Sequence, residues 1–247
     1  MASVYSDIIA SCEKGRKLFA VLIDPEKCNG KKLSSFVEHI NSALPDFVFV
    51  GGSQLTENVE NTVVFIKEHS KVPVVLFPGN VQQFTPKADA ILFLSLISGR
   101  NPDFLIGQQV LAAPKLKEAK IEAISTGYIL VDGTTTSSVA KMSKTEPINA
   151  ENVDLIVNTA LAGELLGHKL IYLEAGSGAK TPIAPSTISR VKSLCRVPII
   201  VGGGICTKEQ LLQAYTSGAD LVVVGNHFES NPQDLLSFVR CKQAMEK

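Results

Sequence analysis

Several motifs are missing from this sequence, and each absence excludes a class of protein. The five cysteines among the 247 residues are scattered and form no CxxC pair, so we expect reduced thiols rather than a disulfide framework. There is no HxH, HExxH or Cys/His cluster, which argues against a zinc site. The GxSxG motif of serine hydrolases is absent, and the glycine-rich stretch GGGIC lacks the spacing of a Rossmann fingerprint.

Clusters of basic residues and long apolar runs are missing as well. Lys and Arg total 24, as do Asp and Glu, and no basic stripe is present, so we expect no nucleic-acid partner. No apolar run is long enough to span a bilayer. The first 17 residues lack the apolar core of a signal peptide. We therefore expect a cytoplasmic protein, for which peripheral contact with a membrane surface stays open.

The sequence does contain eight apolar runs of strand length, most of which alternate with helical patterns. This order predicts a single (β/α)₈ TIM barrel, and the length of 247 residues is close to the ~250 that such a barrel typically needs. No linker or shift in composition divides the chain, so we expect one domain over residues 1–247. The first six predicted strands are Leu18–Ile23, Phe47–Val50, Val72–Phe77, Ala90–Leu94, Glu122–Val131 and Leu170–Leu173, and the last two lie within Ile199–Glu229.

The alternation of strand and helix breaks between the third and fourth strands. Only VQQFTPKAD separates them, whereas a crossover with its helix needs ~10–12 residues or more. We therefore predict a short extended segment in place of that helix. The adjoining segment Ala90–Phe104 is almost free of charge, so the gap predicts an apolar groove suited to a long hydrocarbon chain. An apolar fourth strand is also expected on its own account.

Glycine-rich turns follow the seventh and eighth strands. Gly202–Gly204 ends the apolar run at Ile199, and Gly225-Asn226 ends the next one. Backbone N–H groups where a strand turns into a helix bind phosphate, and such paired turns resemble the phosphate site of many barrels. The alternative is that these glycines only make tight turns.

Several side chains at strand ends could take part in chemistry. Glu174, followed by Ala-Gly-Ser-Gly, suits a general base held beside phosphate-binding N–H groups. Asp24 suits Mg²⁺ and alternatively caps a helix or pairs with Lys27, while Ser53 lies beside such a metal or merely forms a turn. Tyr172 either bonds the substrate or fills the barrel. His227, without partners in the pattern, is interpreted as structural.

Taken together, the segments FAVLIDPEK, VGGS, LFPGN, FLSLISGRNP, STGYILVDG, YLEAGSG, VGGGI and VVGNHFE resemble the geranylgeranylglyceryl phosphate synthase family. The resemblance covers nearly the whole chain, from Asp24 to about Phe228. The family includes the bacterial heptaprenylglyceryl phosphate synthases. The resemblance is strongest to the family's second group, found in archaea and Bacteroidetes. That fold also lacks the third helix.

The resemblance implies an Mg²⁺-dependent phosphoglycerol geranylgeranyltransferase that joins geranylgeranyl diphosphate to the C3 hydroxyl of sn-glycerol 1-phosphate. It implies Mg²⁺ at Asp24 and Ser53 and proton transfer to Glu174. Many members have a tryptophan near the end of the chain tunnel, but this sequence has none, and Phe104 is the candidate replacement. The residues implied to hold glycerol phosphate are Tyr172, Leu173, Glu174, Ala175, Gly176, Ser177, Gly178, Gly203, Gly204, Gly225 and Asn226.

Three alternatives stay open at this point. The enzyme could use a prenyl group of another length, or the barrel could serve a phosphosugar isomerase or epimerase. A carrier that binds phosphate or lipid without catalysis is the third. Separately, the strongly apolar helix predicted at Asn149–Leu166 leads us to expect a homo-oligomer.

Overall fold

A computed structural model describes residues 3–52, 58–135 and 137–246 of the chain. Within these ranges, eight parallel strands close into a barrel in sequence order, each strand paired with its neighbours along the chain and β8 paired with β1. None of the helices there combines the length and the apolar character needed to cross a bilayer. The strands are β1 (Leu18–Ile23), β2 (Phe47–Val50), β3 (Val74–Leu76), β4 (Ala90–Leu96), β5 (Glu122–Leu130), β6 (Leu170–Glu174), β7 (Ile199–Gly202) and β8 (Leu221–Val224).

The predicted barrel is therefore confirmed, and its helices surround the strands. Helix α1 closes the bottom, because Val4 and Ile8 pack into the same buried cluster as Leu18 and Phe47 of the barrel interior. The helices are α1 (Val4–Glu13), α2 (Gly30–Ala43), α3 (Val59–His69), α4 (Gln108–Ala119), α5 (Ser138–Ser143), α6 (Val153–Leu165), α7 (Pro185–Leu194), α8 (Lys208–Thr216), α9 (Asn226–Ser230) and α10 (Leu235–Gln243), with 3₁₀ turns at Pro232–Asp234 and Ala244–Glu246.

No helix lies between β3 and β4, as the short connection predicts. Residues 77–89 form turns that side chains fasten to the rest of the barrel. The amide of Gln83 donates to the carbonyl oxygen of Gly52 at 2.7 Å, and the hydroxyl of Thr85 donates to Glu60 at 2.8 Å. The outer ring of helices is consequently open beside β4.

Two segments contain helical structure that the sequence patterns do not predict. The polar stretch after β5 contains the short helix α5, capped by the hydroxyl of Ser137, which accepts from the N–H of Ala140 at 3.1 Å. The helix after β4 begins with a π-helical turn, Asp103–Gly107, before α4, and Pro114 interrupts the hydrogen bonding inside α4. The π turn and Pro114 both lie on the helix next to the gap.

Candidate active site

The glycine turns after β6, β7 and β8 meet at the mouth of the barrel. Strand register places Glu174 beside Gly202, and Gly202 beside Val223. The hydroxyl of Ser177 donates to the side-chain oxygen of Asn226 at 3.2 Å, which ties the β6 turn to the β8 turn. The predicted convergence of the three turns is present in the structure.

Gly203 is the point at which the β6 and β7 turns touch. Its φ angle is +83°, a conformation that favours glycine, and a Cβ there would lie 2.8 Å from the backbone nitrogen of Gly176 and 2.4 Å from Oε1 of Glu174. Any larger residue would therefore push the two turns apart. The absence of a side chain keeps the backbone of both turns close together.

Several backbone N–H groups in these turns are available to a ligand. Among the residues that the structure describes, the N–H groups of Ser177, Gly178, Gly203, Gly204, Gly225 and Asn226 have no hydrogen-bond acceptor. Successive backbone donors of this kind form a concave site for an anion. The geometry suits a phosphate group at the edge of the barrel mouth.

Glu174 lies just below this group of donors and is only 6% exposed. The N–H of Gly176 donates to Oε1 at 2.7 Å, and the hydroxyl of Tyr172 donates to the same carboxylate. Burial raises the pKa of Glu174 to about 7, although both hydrogen bonds act in the opposite direction. A carboxyl group with such a pKa exchanges a proton readily near neutral pH.

Tyr172 both fills the barrel and contacts the acid. Its side chain is 1% exposed, and its ring stacks on Phe77 with the centroids 5.3 Å apart and lies 5.2 Å from the ring of Tyr128. Burial, followed by the nearby Glu174, raises the pKa of Tyr172 well above its ordinary value. The phenol therefore stays protonated and serves as a donor. The role of Phe77 was not predicted, although it is the last residue of the predicted third strand.

Asp24 lies at the same mouth, at the end of β1 and next to the β8 turn. Its carboxylate accepts from the N–H of Glu26 at 3.1 Å and lies 3.7 Å from the ammonium of Lys27, which in turn is 3.1 Å from Glu229. Part of the alternative interpretation, a pairing with Lys27, is thus present. The other predicted metal ligand, Ser53, lies outside the described residues.

A cavity of about 400 Å³ opens at this mouth. It reaches from Asp24 and Glu174 through the gap beside β4 to the inner side of α4, in agreement with the predicted apolar groove. Its volume lies within the range of small-molecule sites. The apolar end is lined by Phe84, Leu92, Leu94, Phe104, Ala112 and Leu116.

The charges that line this cavity are mostly negative. Asp24, Glu26, Glu174 and Glu229 are present, together with Lys27 and Lys115. Within the described ranges no three His, Cys, Asp or Glu side chains form a metal cluster. A ligand with several phosphate charges would meet these carboxylates, so its binding calls for an added cation.

Three of the four histidines have structural partners. His227 lines the cavity but bonds Asp234 at 2.9 Å, which fits the structural interpretation. His168 is half-buried beside the hydroxyl of Ser125 at 2.9 Å, and burial lowers its pKa. His69 stacks on Phe65 with the ring centroids 4.3 Å apart.

The chain is similar along nearly its whole length to proteins named geranylgeranylglyceryl phosphate synthase. The one from Flavobacterium johnsoniae is 49% identical over 232 residues, which cover 94% of this chain and 96% of that protein. The one from Korarchaeum cryptofilum is 35% identical over 232 residues, 94% of this chain and 95% of its own.

Solved structures give the same result at the level of the fold. The (S)-3-O-geranylgeranylglyceryl phosphate synthase of Thermoplasma acidophilum, in complex with substrate sn-glycerol-1-phosphate, superposes with a TM-score of 0.92 at 31% identity and covers 99% of this chain and 100% of that one. Tryptophan synthase of Mycobacterium tuberculosis, at 16% identity and a TM-score of 0.60, shares the fold alone. Residues 11–242 match the sequence profile of the PcrB family, and the chain belongs to that family.

Proposed function

We propose that this protein transfers a geranylgeranyl group from its diphosphate to the C3 hydroxyl of sn-glycerol 1-phosphate. The names of the relatives and the ligand of the Thermoplasma structure support this reaction. The observation that carries it is the position of Glu174, a buried acid at the point where the anion-facing turns meet the apolar cavity.

The glycerol phosphate is held by the three turns. The N–H groups of Ser177 and Gly178, of Gly203 and Gly204, and of Gly225 and Asn226 donate to the phosphate oxygens, as backbone donors in such turns do elsewhere. Asn226, bonded to Ser177, fixes the rim of this site. The glycerol then extends into the barrel, so its free hydroxyl faces Glu174. Positioning of this kind contributes at most ~7–11 kcal/mol to lowering a barrier.

The reaction exchanges one C–O bond for another and moves one proton. The C3 oxygen of glycerol phosphate bonds to C1 of the prenyl group, while the bond between C1 and the diphosphate oxygen breaks and diphosphate leaves with the electron pair. Glu174 in its ionised form accepts the hydroxyl proton, a contribution of roughly 10²–10⁴-fold. Tyr172 and the N–H of Gly176 hold that carboxylate in place.

Mg²⁺ binding at Asp24 is part of the proposal. The lining carboxylates would repel a diphosphate unless a cation lies between them. Mg²⁺ uses one or two carboxylates together with phosphate oxygens. When bound, the ion would neutralise the diphosphate and make it a better leaving group. Asp24 and Ser53 would hold it, and Lys27 adds a second positive charge beside Asp24.

The hydrocarbon chain occupies the apolar part of the cavity. The gap between β3 and β4 leaves room for it beside Phe84 and Leu92, and Phe104, the candidate replacement for the family's tryptophan, is part of the lining. Burial of each methylene contributes ~0.8 kcal/mol, which favours a long chain over a small sugar. A prenyl group of another length is the alternative. Competition between prenyl diphosphates of different chain lengths for the enzyme distinguishes the two.

The other two alternatives fit the cavity less well. A phosphosugar isomerase or epimerase needs two acid–base groups around one carbon and has no use for an apolar arm. A non-catalytic carrier has no use for a buried acid whose pKa is raised to about 7, because such burial lowers stability without benefit to binding. A cytoplasmic location and self-association through α6, whose end carries the exposed Leu165 and Leu166, remain predictions.

One assay tests the proposed reaction. The protein is incubated with sn-glycerol 1-phosphate, geranylgeranyl diphosphate and Mg²⁺, and a solvent-extractable phosphate ester is measured. Glu174→Gln should lower kcat by roughly 10²–10⁴-fold and change glycerol phosphate binding, measured by calorimetry, by less than threefold. Glu38→Gln, at an exposed position on α2, is the control and should keep full activity. Absence of the ester, or full turnover by Glu174→Gln, would overturn the proposal.

A further inference from the structure

One side of helix α4 lines the cavity, and the other side carries exposed apolar side chains. Gln109, Ala112 and Leu116 point to the cavity. On the other side, Ile106 of the preceding π turn is 59% exposed, Val110 61% and Leu111 63%. Three large apolar side chains exposed close together on one face of a helix form a patch that is typical of an interaction surface.

These three side chains form a patch that is small and has lysines at one end. Lys115, Lys117 and Lys120 are exposed at the C-terminal end of the helix, against the single acid Glu118 there. A stable protein interface needs about 800 Å² and some 20–30 residues on each partner, far more than this patch offers. Apolar side chains beside several lysines are instead typical of a helix that lies in the surface of an anionic bilayer.

We propose that the outward face of α4, made of Ile106, Val110 and Leu111 with Lys117 and Lys120, docks on an anionic lipid bilayer. The same helix forms the wall of the apolar cavity, so docking brings the cavity next to the acyl chains. A prenyl substrate and its lipid product can then pass between bilayer and cavity with little exposure to water. This last step rests on the proposed function, whereas docking itself does not.

The absence of tryptophan from the chain makes docking directly measurable. A single tryptophan at Val110 (Val110→Trp) should show a blue-shifted emission when vesicles containing phosphatidylglycerol are added. The matched control is Leu194→Trp, at an exposed leucine at the end of α7, which should show no shift. Vesicles of phosphatidylcholine alone should produce a weaker shift at Val110→Trp. Equal shifts in both variants, or none in either, would overturn the proposal.

Co-sedimentation of the full chain with the same vesicles provides the second measurement. Replacement of Ile106, Val110 and Leu111 by serine should lower partitioning at least about a hundredfold, because burial of each side chain is worth roughly 1.5–3 kcal/mol. Lys117→Gln and Lys120→Gln should each lower it about fivefold, and only on anionic vesicles. If the serine variant instead changes the oligomeric state in solution, the face belongs to a second copy and the docking proposal is wrong.

A third arm separates docking from catalysis. None of the three apolar side chains lines the cavity, so the serine variant should keep wild-type activity on geranyl diphosphate in solution. Its activity on geranylgeranyl diphosphate embedded in vesicles should fall about tenfold or more. Failure of the proposed reaction would remove both activities from the wild type, yet leave the fluorescence and sedimentation results as a test of docking.

Discussion

The hydroxyl of Tyr172 donates a hydrogen bond to the buried carboxylate of Glu174, two residues further along β6. Both side chains point into the barrel because residues i and i+2 of a strand share a face. Gly202, on the neighbouring strand, leaves the space in which they meet, since a Cβ there would lie 2.3 Å from the tyrosine oxygen and 2.9 Å from Oε2 of Glu174.

The pH dependence of activity should report the ionisation of Glu174. Burial raises its pKa to about 7, and only the ionised form accepts a proton, so kcat should rise with pH through about 7 and level off above it. Tyr172→Phe removes a bond that favours the charged form, and the midpoint should therefore move to higher pH. The measurement is kcat from pH 5 to 9 with both substrates saturating. An unchanged midpoint in Tyr172→Phe would mean that the tyrosine has no part in setting the proton affinity.

The free energy of unfolding should depend on the same ionisation, but in the opposite direction: the ionised form that catalysis needs makes the folded protein less stable. The folded-state pKa of Glu174 is about 7 against an ordinary value of 4.5, so the favourable neutral form is fully present below pH 4.5 and is lost as pH rises through 7. Glu174→Gln stays neutral at every pH. It should unfold at nearly the same urea concentration as the wild type at pH 4.5, but be more stable by roughly 3 kcal/mol at pH 8.5. Equal stabilities of the two proteins at pH 8.5 would show that folding does not raise the pKa of Glu174.

Much of this arrangement could be predicted from the sequence, because strand ends are readable from it. In a parallel barrel the carboxyl ends of all strands reach one mouth, so Glu174 and the glycine turns were expected to lie together. The missing helix was predicted from the short connection between the third and fourth strands alone. The π turn at Asp103–Gly107 and helix α5 were not predicted, since segments of five and six residues are too short to show a helical period.

Contacts between distant parts of the chain could not be predicted from local sequence patterns. The stacking of Phe77 on Tyr172 depends on how two barrel strands face each other across the interior. The ion pair of Lys27 with Glu229 joins residues 202 positions apart, in loops whose approach is fixed only by closure of β8 on β1. Such pairs are specified by tertiary packing, which single-sequence periodicity does not record.

Gly202→Ala should lower activity with little loss of substrate affinity. The added Cβ would force the hydroxyl of Tyr172 and the carboxylate of Glu174 apart, because neither buried ring nor strand backbone has room to yield. We expect kcat to fall about a hundredfold, as in other sites misplaced by about 1 Å. Gly107→Ala is the control, since an added Cβ there meets nothing closer than 3.3 Å. Steady-state kinetics of both variants decide the matter, and wild-type kcat in Gly202→Ala would refute the steric argument.

Lys27 should contribute to binding of the prenyl diphosphate rather than of glycerol phosphate. Its ammonium lies between Asp24, at the end of β1, and Glu229, in the helix that follows β8. The backbone donors of Ser177, Gly178 and Gly203 follow β6 and β7 instead. A charged hydrogen bond is worth roughly 1.5–3 kcal/mol, so Lys27→Met should raise the KM for geranylgeranyl diphosphate about tenfold to hundredfold. The KM for glycerol phosphate should stay within about twofold.

The same lysine allows a test that does not depend on the hydrocarbon chain. Inorganic diphosphate with Mg²⁺ should inhibit the wild type, and Lys27→Met should weaken that inhibition by the same factor as it raises the KM, because both ligands share the diphosphate group. Lys27→Arg keeps the charge and should restore most of the affinity. Lys32→Met, at an exposed lysine on α2, controls for the loss of a surface charge. If both lysine variants weakened inhibition alike, long-range charge and not the position of Lys27 beside Glu229 would account for the effect.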